Sequence, residues 1–340
     1  MRRGILIFLL LLLAFLLLAL HQVWTLLSLL IVSGHQYGIT KPSLPALDSP
    51  RIDPPAPLIP KLLHQTWQNT SIPEVWRSAQ QSCLDLHTKE DGWEYVLWTD
   101  DKMDEFMRKE YGWFMDTFEG YRYPIQRADA IRYFVLYHYG GVYLDLDDGC
   151  NRPLEPLLQY PAWVRKTVPT GISNDAMGAA PGHPFFKRVM DELKSYDRSW
   201  ILPYITVMGS TGPLFLSVMW RHYTTDGLNE GDGVIRILFP EEYQGTKWAF
   251  FTHHLGNSWH GQDVQLIFWM AHNWWLVTIF GFLLGFSIIF AIWWTYRRFV
   301  LKKPAGDVPK WKIASVRSRF PFWRRASAQK EYELVSQHQV

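Results

Sequence analysis

Gly140-Gly141-Val142-Tyr143-Leu144-Asp145-Leu146-Asp147-Asp148-Gly149 is the stretch on which the reading of this chain turns. The glycine pair allows tight chain entry, Val142 to Asp145 reads as a short apolar strand, and Asp148-Gly149 supplies a turn afterwards. An apolar strand ending in Asp-x-Asp presents two hard oxygen ligands, Asp145 and Asp147, at the carboxyl edge of a sheet. Such a pair suits a divalent cation that in turn holds a diphosphate. Taken alone, Asp-x-Asp is more often a solvated acidic turn, so its neighbours decide.

Immediately upstream, Ile125 to Tyr139 has the pattern of a helix stopped by Gly140-Gly141. It carries Arg127, Asp129 and Arg132; the last two are three apart, share a face and can pair. Further out, Leu62 to Trp67 reads as a buried strand and Pro73 to Leu86 as an amphipathic helix. Trp93 to Thr99 alternates as a strand, with Asp100 placed to cap the helix after it. Later helices start at Pro184 and Pro213. Strands alternating with helices imply an α/β layered sheet with ligands at the strand ends. A phosphatase of the haloacid-dehalogenase kind also uses Asp-x-Asp after a strand. It wants Thr or Val two residues beyond the second Asp, where this chain has Gly149, and its later acidic motif is missing.

The 340 residues are not all available to that domain. From Gly4 to Thr40 there is no Lys, Arg, Asp or Glu, and a second charge-free run covers the 23 residues Trp274 to Tyr296. At 1.5 Å per residue the second is about 35 Å of helix, enough to cross a bilayer core. The formal charge of +2 conceals an asymmetry: residues 33–273 hold 21 basic and 29 acidic side chains, and the tail after Tyr296 holds 11 basic and three acidic. With Arg2 and Arg3 ahead of the first run, both termini are expected in the cytosol and the middle in a lumen or outside the cell. The first run exceeds a signal-peptide core, so an uncleaved anchor is expected. The reading is a cytosolic 1–3, an anchor at 4–32, a Pro-rich stem at 33–57, a catalytic domain at 58–272, a span at 273–296 and a basic cytosolic tail at 297–340. The stem is inferred from composition, since seven of the 21 prolines fall in 41–60. Tyr332-Glu333-Leu334-Val335 in the tail has the look of a trafficking signal. Asn69-Thr70-Ser71 is a glycosylation acceptor sequence. Cys83 and Cys150 could bridge in an oxidising lumen or remain buried thiols.

Taken together, these motifs resemble glycosyltransferase family 32, which carries Arg-x-Asp-x-x-Arg-Tyr on a helix followed by Gly-Gly-x-Tyr-x-Asp-x-Asp. The match is at Arg127, Asp129, Arg132, Tyr133, Gly140, Gly141, Tyr143, Asp145 and Asp147. The opening strand Ile59 to Trp67 and the segment Leu97-Trp98-Thr99-Asp100 agree as well, and the likeness runs from about Leu58 to Asp263. Within the family the chain is most similar to the fungal mannosyl-phosphorylinositol-ceramide synthases, through Tyr123-Pro124-Ile125, Ser173-Asn174-Asp175, Met208 to Pro213 and Ser258-Trp259-His260. The resemblance implies a GT-A (Rossmann-like) α/β fold, a GDP-mannose donor, Mn²⁺ or Mg²⁺, and transfer to the inositol of inositol phosphorylceramide with retention of configuration. It also implies a Golgi membrane location and a separate membrane regulatory subunit. Nucleic acid is not an expected partner.

Residue by residue, the resemblance gives Asp145 and Asp147 the metal, with a third ligand among His253, His254 and His260, of which His260 is preferred. Asp129 and Arg132 would grip the donor sugar, Arg127 would lie near the diphosphate, and Asp145 would reach the donor through the metal. Trp259 would donate its indole N–H to a leaving phosphate or simply pack its loop. Asn174 and Asp175 are expected to follow a strand and face the sugar. Trp67, at the end of the first strand, would stack on guanine or pack the core. Two other readings stand beside this one: a family member acting on protein-linked glycans, and a non-catalytic membrane partner of another transferase.

Overall fold

The structure is a computed structural model, and it describes residues 2–46, 57–168, 170–243, 248–254 and 262–299. Its strands are β1 (Gly38–Ile39), β2 (Leu62–Thr66), β3 (Glu94–Trp98), β4 (Gly141–Leu144), β5 (Asp148–Cys150), β6 (Ala162–Lys166), β7 (Ile172–Ala179), β8 (Ile235–Leu238) and β9 (Phe251–His253). The helices are α1 (Arg2–Ile31), α2 (Glu74–Leu86), α3 (Asp100–Glu110), α4 (Met115–Gly120), α5 (Pro124–Tyr139), α6 (Pro184–Tyr196), α7 (Pro203–Ser210), α8 (Pro213–Thr225), α9 (Pro240–Tyr243), α10 (Gln262–His272) and α11 (Trp274–Phe299).

Seven strands form one mixed sheet in the order β1-β8-β6-β7-β4-β2-β3, and β5 pairs with β9 in a separate two-stranded ribbon. The pairs β2–β3, β2–β4, β6–β8 and β1–β8 are parallel, whereas β7 runs antiparallel to both β4 and β6. That reversal matters for the site. It sets the carboxyl end of β4 beside the opening residues of β7, with Leu144 opposite Ala176. One face of the sheet is covered by α5, α6 and α8, whose Ile131, Phe134, Phe185, Val189, Phe215 and Trp220 are fully or almost fully buried. The other face carries Trp163, Leu154, Leu157 and Phe250.

α5 is buried almost all round, polar residues included. Pro124 opens it, and the Gln126 side chain accepts from the Tyr123 N–H at 3.0 Å, a polar cap in place of a missing turn. Gly140 ends it at φ 69°, where a Cβ would stand 2.7 Å from Pro181 Cδ; at Gly141, φ 97°, a Cβ would meet the Leu62 carbonyl at 2.6 Å. Only glycine fits either position, so the entry into β4 is fixed by sterics. Beneath it, His64 Nε2 lies 2.9 Å from the Gly140 carbonyl and the Trp98 indole N–H donates to Nδ1 at 3.1 Å. Cys83 on α2 and Cys150 on β5 form a disulfide, closing a loop of 67 residues and choosing the bridge over the paired thiols.

Two expectations are corrected. Asp100 is the first residue of α3 and not its cap; Thr99 caps, its hydroxyl accepting from the Lys102 N–H. A hydroxyl one residue earlier has the extended backbone that a cap needs. The stem over 33–57 is not free of the domain in its first part: β1 adds to the sheet edge, Ile39 and Leu44 are buried, and Arg152 Nη2 donates to the Pro45 carbonyl at 3.1 Å. Proline content mimics a linker, but two residues of edge strand suffice to dock it; residues 47–56 lie outside the described residues. The segment 4–32 expected as an anchor is a helix bent by 59° between Leu6–His21 and Val23–Ile31, and the two parts pass as long and apolar enough for a span only together. The second part rests on α8, with Leu29 buried, Arg221 Nε donating to Ser28 Oγ at 2.9 Å and the Thr170 hydroxyl donating to the Leu29 carbonyl.

The chain divides into two compact units, the first ending at Ile267 and the second starting at Phe268. In the second, Trp274–Arg298 of α11 is long and apolar enough to cross a membrane, with Trp274, Trp275, Trp293, Trp294 and Tyr296 exposed near its ends. The tail from residue 300, including Tyr332 to Val335, lies outside the described residues.

Candidate active site

A cleft of about 630 Å³ opens at the carboxyl end of β2 and β4, of the size that takes a small substrate. Trp67, Asp100, Arg127, Arg132, Asp145 and Asp147 line it from the strand ends, α3 and α5, and Pro203, Tyr204 and Val207 of α7 close the opposite wall. Trp67 is half-buried, its ring edge-on to Trp76 at 5.0 Å and its N–H donated to the Ser71 carbonyl. One face of it is therefore part of the cleft wall, where a flat base could lie. Asn69, two residues on, is exposed, and its side chain accepts from the Ser71 N–H at 2.8 Å.

The helical spacing of Asp129 and Arg132 does produce a pair, Nη2 to Oδ1 at 3.1 Å, and both side chains are almost wholly buried. Arg132 then reaches across to β4: Nη1 is 3.3 Å from Asp145 Oδ1 and donates to the Asn174 carbonyl at 2.8 Å, and the guanidinium lies 4.7 Å from the centre of the Tyr143 ring. The Tyr143 hydroxyl donates to Asp145 Oδ1 at 2.8 Å. Asp129 is held from the far side by the Asn174 amide at 2.9 Å and the Thr211 hydroxyl at 3.0 Å. Every part of this clamp is buried and satisfied, so the Asp145 carboxylate, 31% exposed, is aimed and not free to swing. Asn174 thus braces Asp129 from beneath the cleft wall and does not line the cleft.

A second clamp went unread in the sequence. Arg165 of β6 is buried with its guanidinium between Asp148 and Asp175: Nη1 donates to Asp148 Oδ1 at 3.1 Å, and Nε donates to Asp175 Oδ1 at 3.1 Å while Nη2 grips Asp175 Oδ2. Nη2 is also 2.9 Å from Asp148 Oδ2, an ionic contact off the hydrogen-bonding line. The register of β6 on β7 shifts between Val164 and Lys166, and such an irregularity re-aims the side chain that it carries. The signal that could have found Arg165 is a pair of adjacent cations, Arg165-Lys166, ending a strand that opens with the apolar Ala162-Trp163-Val164. Asp175, whose carbonyl accepts from the Asp145 N–H at 2.8 Å, faces a smaller recess of about 120 Å³ with Tyr243 and His253. It abuts Asp145 but does not line the main cleft.

Pairing of Asp148 with His253 across β5 and β9 brings that histidine in, its Nδ1 3.3 Å from Asp148 Oδ1. Ligand atoms of Asp147, Asp148 and His253 lie within 4.8 Å of one another. Asp148 is fully buried and committed to Arg165, so Asp147 and His253 are the members free to turn toward a cation. The preferred ligand His260 and Trp259 lie outside the described residues. His254 contributes its backbone N–H to the Asp147 carbonyl at 2.8 Å.

Crowding of carboxylates shapes their charge. Burial pushes the Asp145 carboxyl up to about 7, against the pull of Arg132, and the neighbouring Asp147 and Asp175 carboxylates add to the rise. Asp147 is raised by burial and by Asp148. Asp129 is raised by burial, with Arg132, Thr211 and Asn174 opposing. At Asp175 burial also opposes ionisation, but Arg165 outweighs it and holds the carboxyl below its ordinary value. The hydrogen bond to Asp148 raises His253. Two buried arginines among Asp129, Asp145, Asp147, Asp148 and Asp175 leave the cluster short of positive charge, and the open side of the shortage is the cleft.

A mixed α/β sheet with Asp-x-Asp at a strand end, an arginine-braced first aspartate and a cleft beside it defines a glycosyltransferase. Residues 73–163 match the family model described as a glycosyltransferase sugar-binding region containing a DXD motif. The chain is 48% identical over 268 residues to mannosyl phosphorylinositol ceramide synthase SUR1 of Saccharomyces cerevisiae, covering 78% of this chain and 69% of that protein. It is 45% identical to CSH1, the synthase of the same name from that yeast, covering 79% and 72%. Against inositol phosphoceramide mannosyltransferase 3 of Schizosaccharomyces pombe it is 50% identical, covering 69% and 65%. The chain belongs to the mannosyl phosphorylinositol ceramide synthase family.

Proposed function

We propose that this glycosyltransferase moves mannose from GDP-mannose to the inositol of inositol phosphorylceramide, with retention, in a GT-A catalytic domain. The observation that carries the reading is the Asp145-x-Asp147 edge, held by Arg132 and Asp129 and opening on a cleft of about 630 Å³. The relatives' names supply the acceptor and the sugar.

The donor set suits a hard divalent ion: ligand atoms of Asp147 and His253 lie within 4.8 Å of each other, and the Asp145 carboxylate stands at the strand end two residues before Asp147, outside that group. Asp145 and Asp147 would hold Mn²⁺ or Mg²⁺, with His253 the described histidine best placed to join them. When bound, the ion neutralises the charge that develops on the departing diphosphate. Arg132 fixes the direction of Asp145, and Arg127 on the cleft wall adds positive charge on the diphosphate side. Trp67 offers the base a flat apolar face. Asp129 works by orienting Arg132, since its own oxygens are occupied by Arg132, Asn174 and Thr211. Asn174 supports it through that contact, and Asp175 lies next to Asp145 with its charge held by Arg165. Trp259 and His260 are proposed contributors from the following loop.

The disulfide and the basic tail support a lumenal catalytic domain in a Golgi membrane, with cytosolic termini, α1 and α11 as the two flanking spans, and Asn69 glycosylated. A regulatory membrane subunit belongs to the same reading.

The test is transfer of labelled mannose from GDP-mannose to inositol phosphorylceramide by the detergent-purified chain, with and without Mn²⁺. An Asp145→Ala/Asp147→Ala variant is expected to lose at least about a hundredfold in kcat. A folded wild type that hydrolyses GDP-mannose but gives no lipid product would overturn the acceptor.

A further inference from the structure

Between α6 and α7 the chain turns through Asp197-Arg198-Ser199-Trp200-Ile201-Leu202 and leaves an apolar tip in water. Ile201 is 99% exposed and Trp200 55%, and Ile205 one turn into α7 is exposed with them. The tip is not a loose loop. Thr206, itself buried, accepts from the Trp200 N–H at 2.8 Å and donates to the Trp200 carbonyl, so the backbone behind Ile201 is held from both sides. A chain that clamps two large apolar side chains outward gives up their burial, and such a patch marks a contact surface.

Its position points to the occupant. α7, which starts two residues after Ile201, supplies the Pro203, Tyr204 and Val207 wall of the main cleft. The Tyr204 N–H donates to Asp263 Oδ2 at 2.7 Å, and the next residue, Val264, is buried in the same wall. In sequence Asp263 stands only eleven residues before Trp274, where the membrane-length apolar segment starts. The tip is therefore on the cleft wall whose chain leads directly into that segment. Indole and aliphatic side chains together favour the boundary between headgroups and acyl chains, and the exposed Lys194 and Arg198 suit phosphate-bearing headgroups, with exposed Asp197 between them opposing.

We propose that Trp200 and Ile201 form a wedge that enters the lipid interface and seats the acceptor side of the cleft on the bilayer. The proposal rests on the lipid-acceptor reading above and specifies how that acceptor is met: the headgroup enters the cleft past α7 while its chains stay in the membrane.

The experiment uses the full chain reconstituted in vesicles of phosphatidylcholine and phosphatidylinositol. Both cysteines of the chain are in the disulfide, so Ile201→Cys gives a single free thiol for an environment-sensitive fluorophore. Replacing the lipids by brominated-chain forms is expected to quench the label at least about twofold, with aqueous iodide ineffective. In parallel, a Trp200→Ser/Ile201→Ser variant should raise KM for bilayer-embedded inositol phosphorylceramide about tenfold, with kcat and acceptor-free GDP-mannose hydrolysis within about twofold of wild type. A label that iodide reaches and bromolipid does not, or one shielded only by a co-purifying protein, overturns the wedge. So does an unchanged KM. If wild type transfers nothing to inositol phosphorylceramide, the function reading fails by itself, and the quenching still decides the wedge.

Discussion

Arg165 binds two carboxylates at once, and a lysine cannot. A guanidinium forks between Asp148 and Asp175, whereas an ammonium is a point charge that satisfies one of them and leaves the other buried beside Asp145. Arg165→Lys is expected to destabilise the fold by on the order of 1–3 kcal/mol and to lower kcat roughly tenfold to a hundredfold. Steady-state mannosyl transfer read beside a denaturant midpoint checks this; a stable variant with unchanged kcat would remove Arg165 from the machinery. Much of the first clamp could be read from the chain because its central parts are local: Asp129 and Arg132 ride one helix, and Tyr143 and Asp145 follow on and just after the next strand. Arg165 and Thr211 could not, and His253 entered only as one of three histidines offered for the third ligand. Each reaches the site through a pairing or packing contact far along the chain, and nothing in the spacing of residues announces it.

At the scale of elements, the ribbon of β5 and β9 is the piece whose support is covalent. Cys150 on β5 is tied to Cys83 on α2, and Asp148 and the approach of His253 depend on the same short strand. Three residues of strand have little pairing of their own. Replacing both cysteines by serine releases a 67-residue loop and is expected to cost about 2–4 kcal/mol. The loss should appear as an earlier denaturant midpoint together with weaker Mn²⁺ binding by calorimetry. A variant as stable as wild type would show that packing alone holds β5. The elements β2, α2, β3, α3, α5, β4, α6 and α8 were legible in order, because Pro, Gly and apolar periodicity mark boundaries near Pro73, Pro124, Gly140, Pro184 and Pro213, whereas β5, β6, α4 and α7 carry no such marks and Asn174-Asp175, expected after a strand, lie within β7. The stem was misread for the converse reason: the seven prolines of 41–60 have a stronger voice in composition than Gly38 and Ile39, which do the docking.

For the molecule as a whole, two buried histidines link stability to acidity. Burial holds His64 at about 4 and His183 at about 4, below the ordinary value near 6.5. Protonating His64 would also turn Nδ1 into a donor facing the Trp98 N–H. Between the two values the unfolded chain binds protons that the folded chain refuses, so this stability is full above pH 6.5, falls as pH drops and levels off below about 4. At pH 5 the loss is on the order of 2 kcal/mol per histidine. Asp145, pushed up to about 7, acts in the opposite sense, so the effect is read as a difference between proteins. A His64→Asn/His183→Gln variant should be weaker at pH 7.5 and lose less between 7.5 and 5; equal slopes would sink the assignment. The edge strand β1 carries a further consequence, one of timing. Gly38 aligns with Ile237, and Ser28 on α1 meets Arg221. A ribosome adding about 5–20 residues per second delivers those partners roughly 10–40 s after the residues they pair with. During translation a segment that emerges before the rest of the sheet is therefore among the last to find its place, and the nascent chain carries an unmatched sheet edge until β8 has emerged.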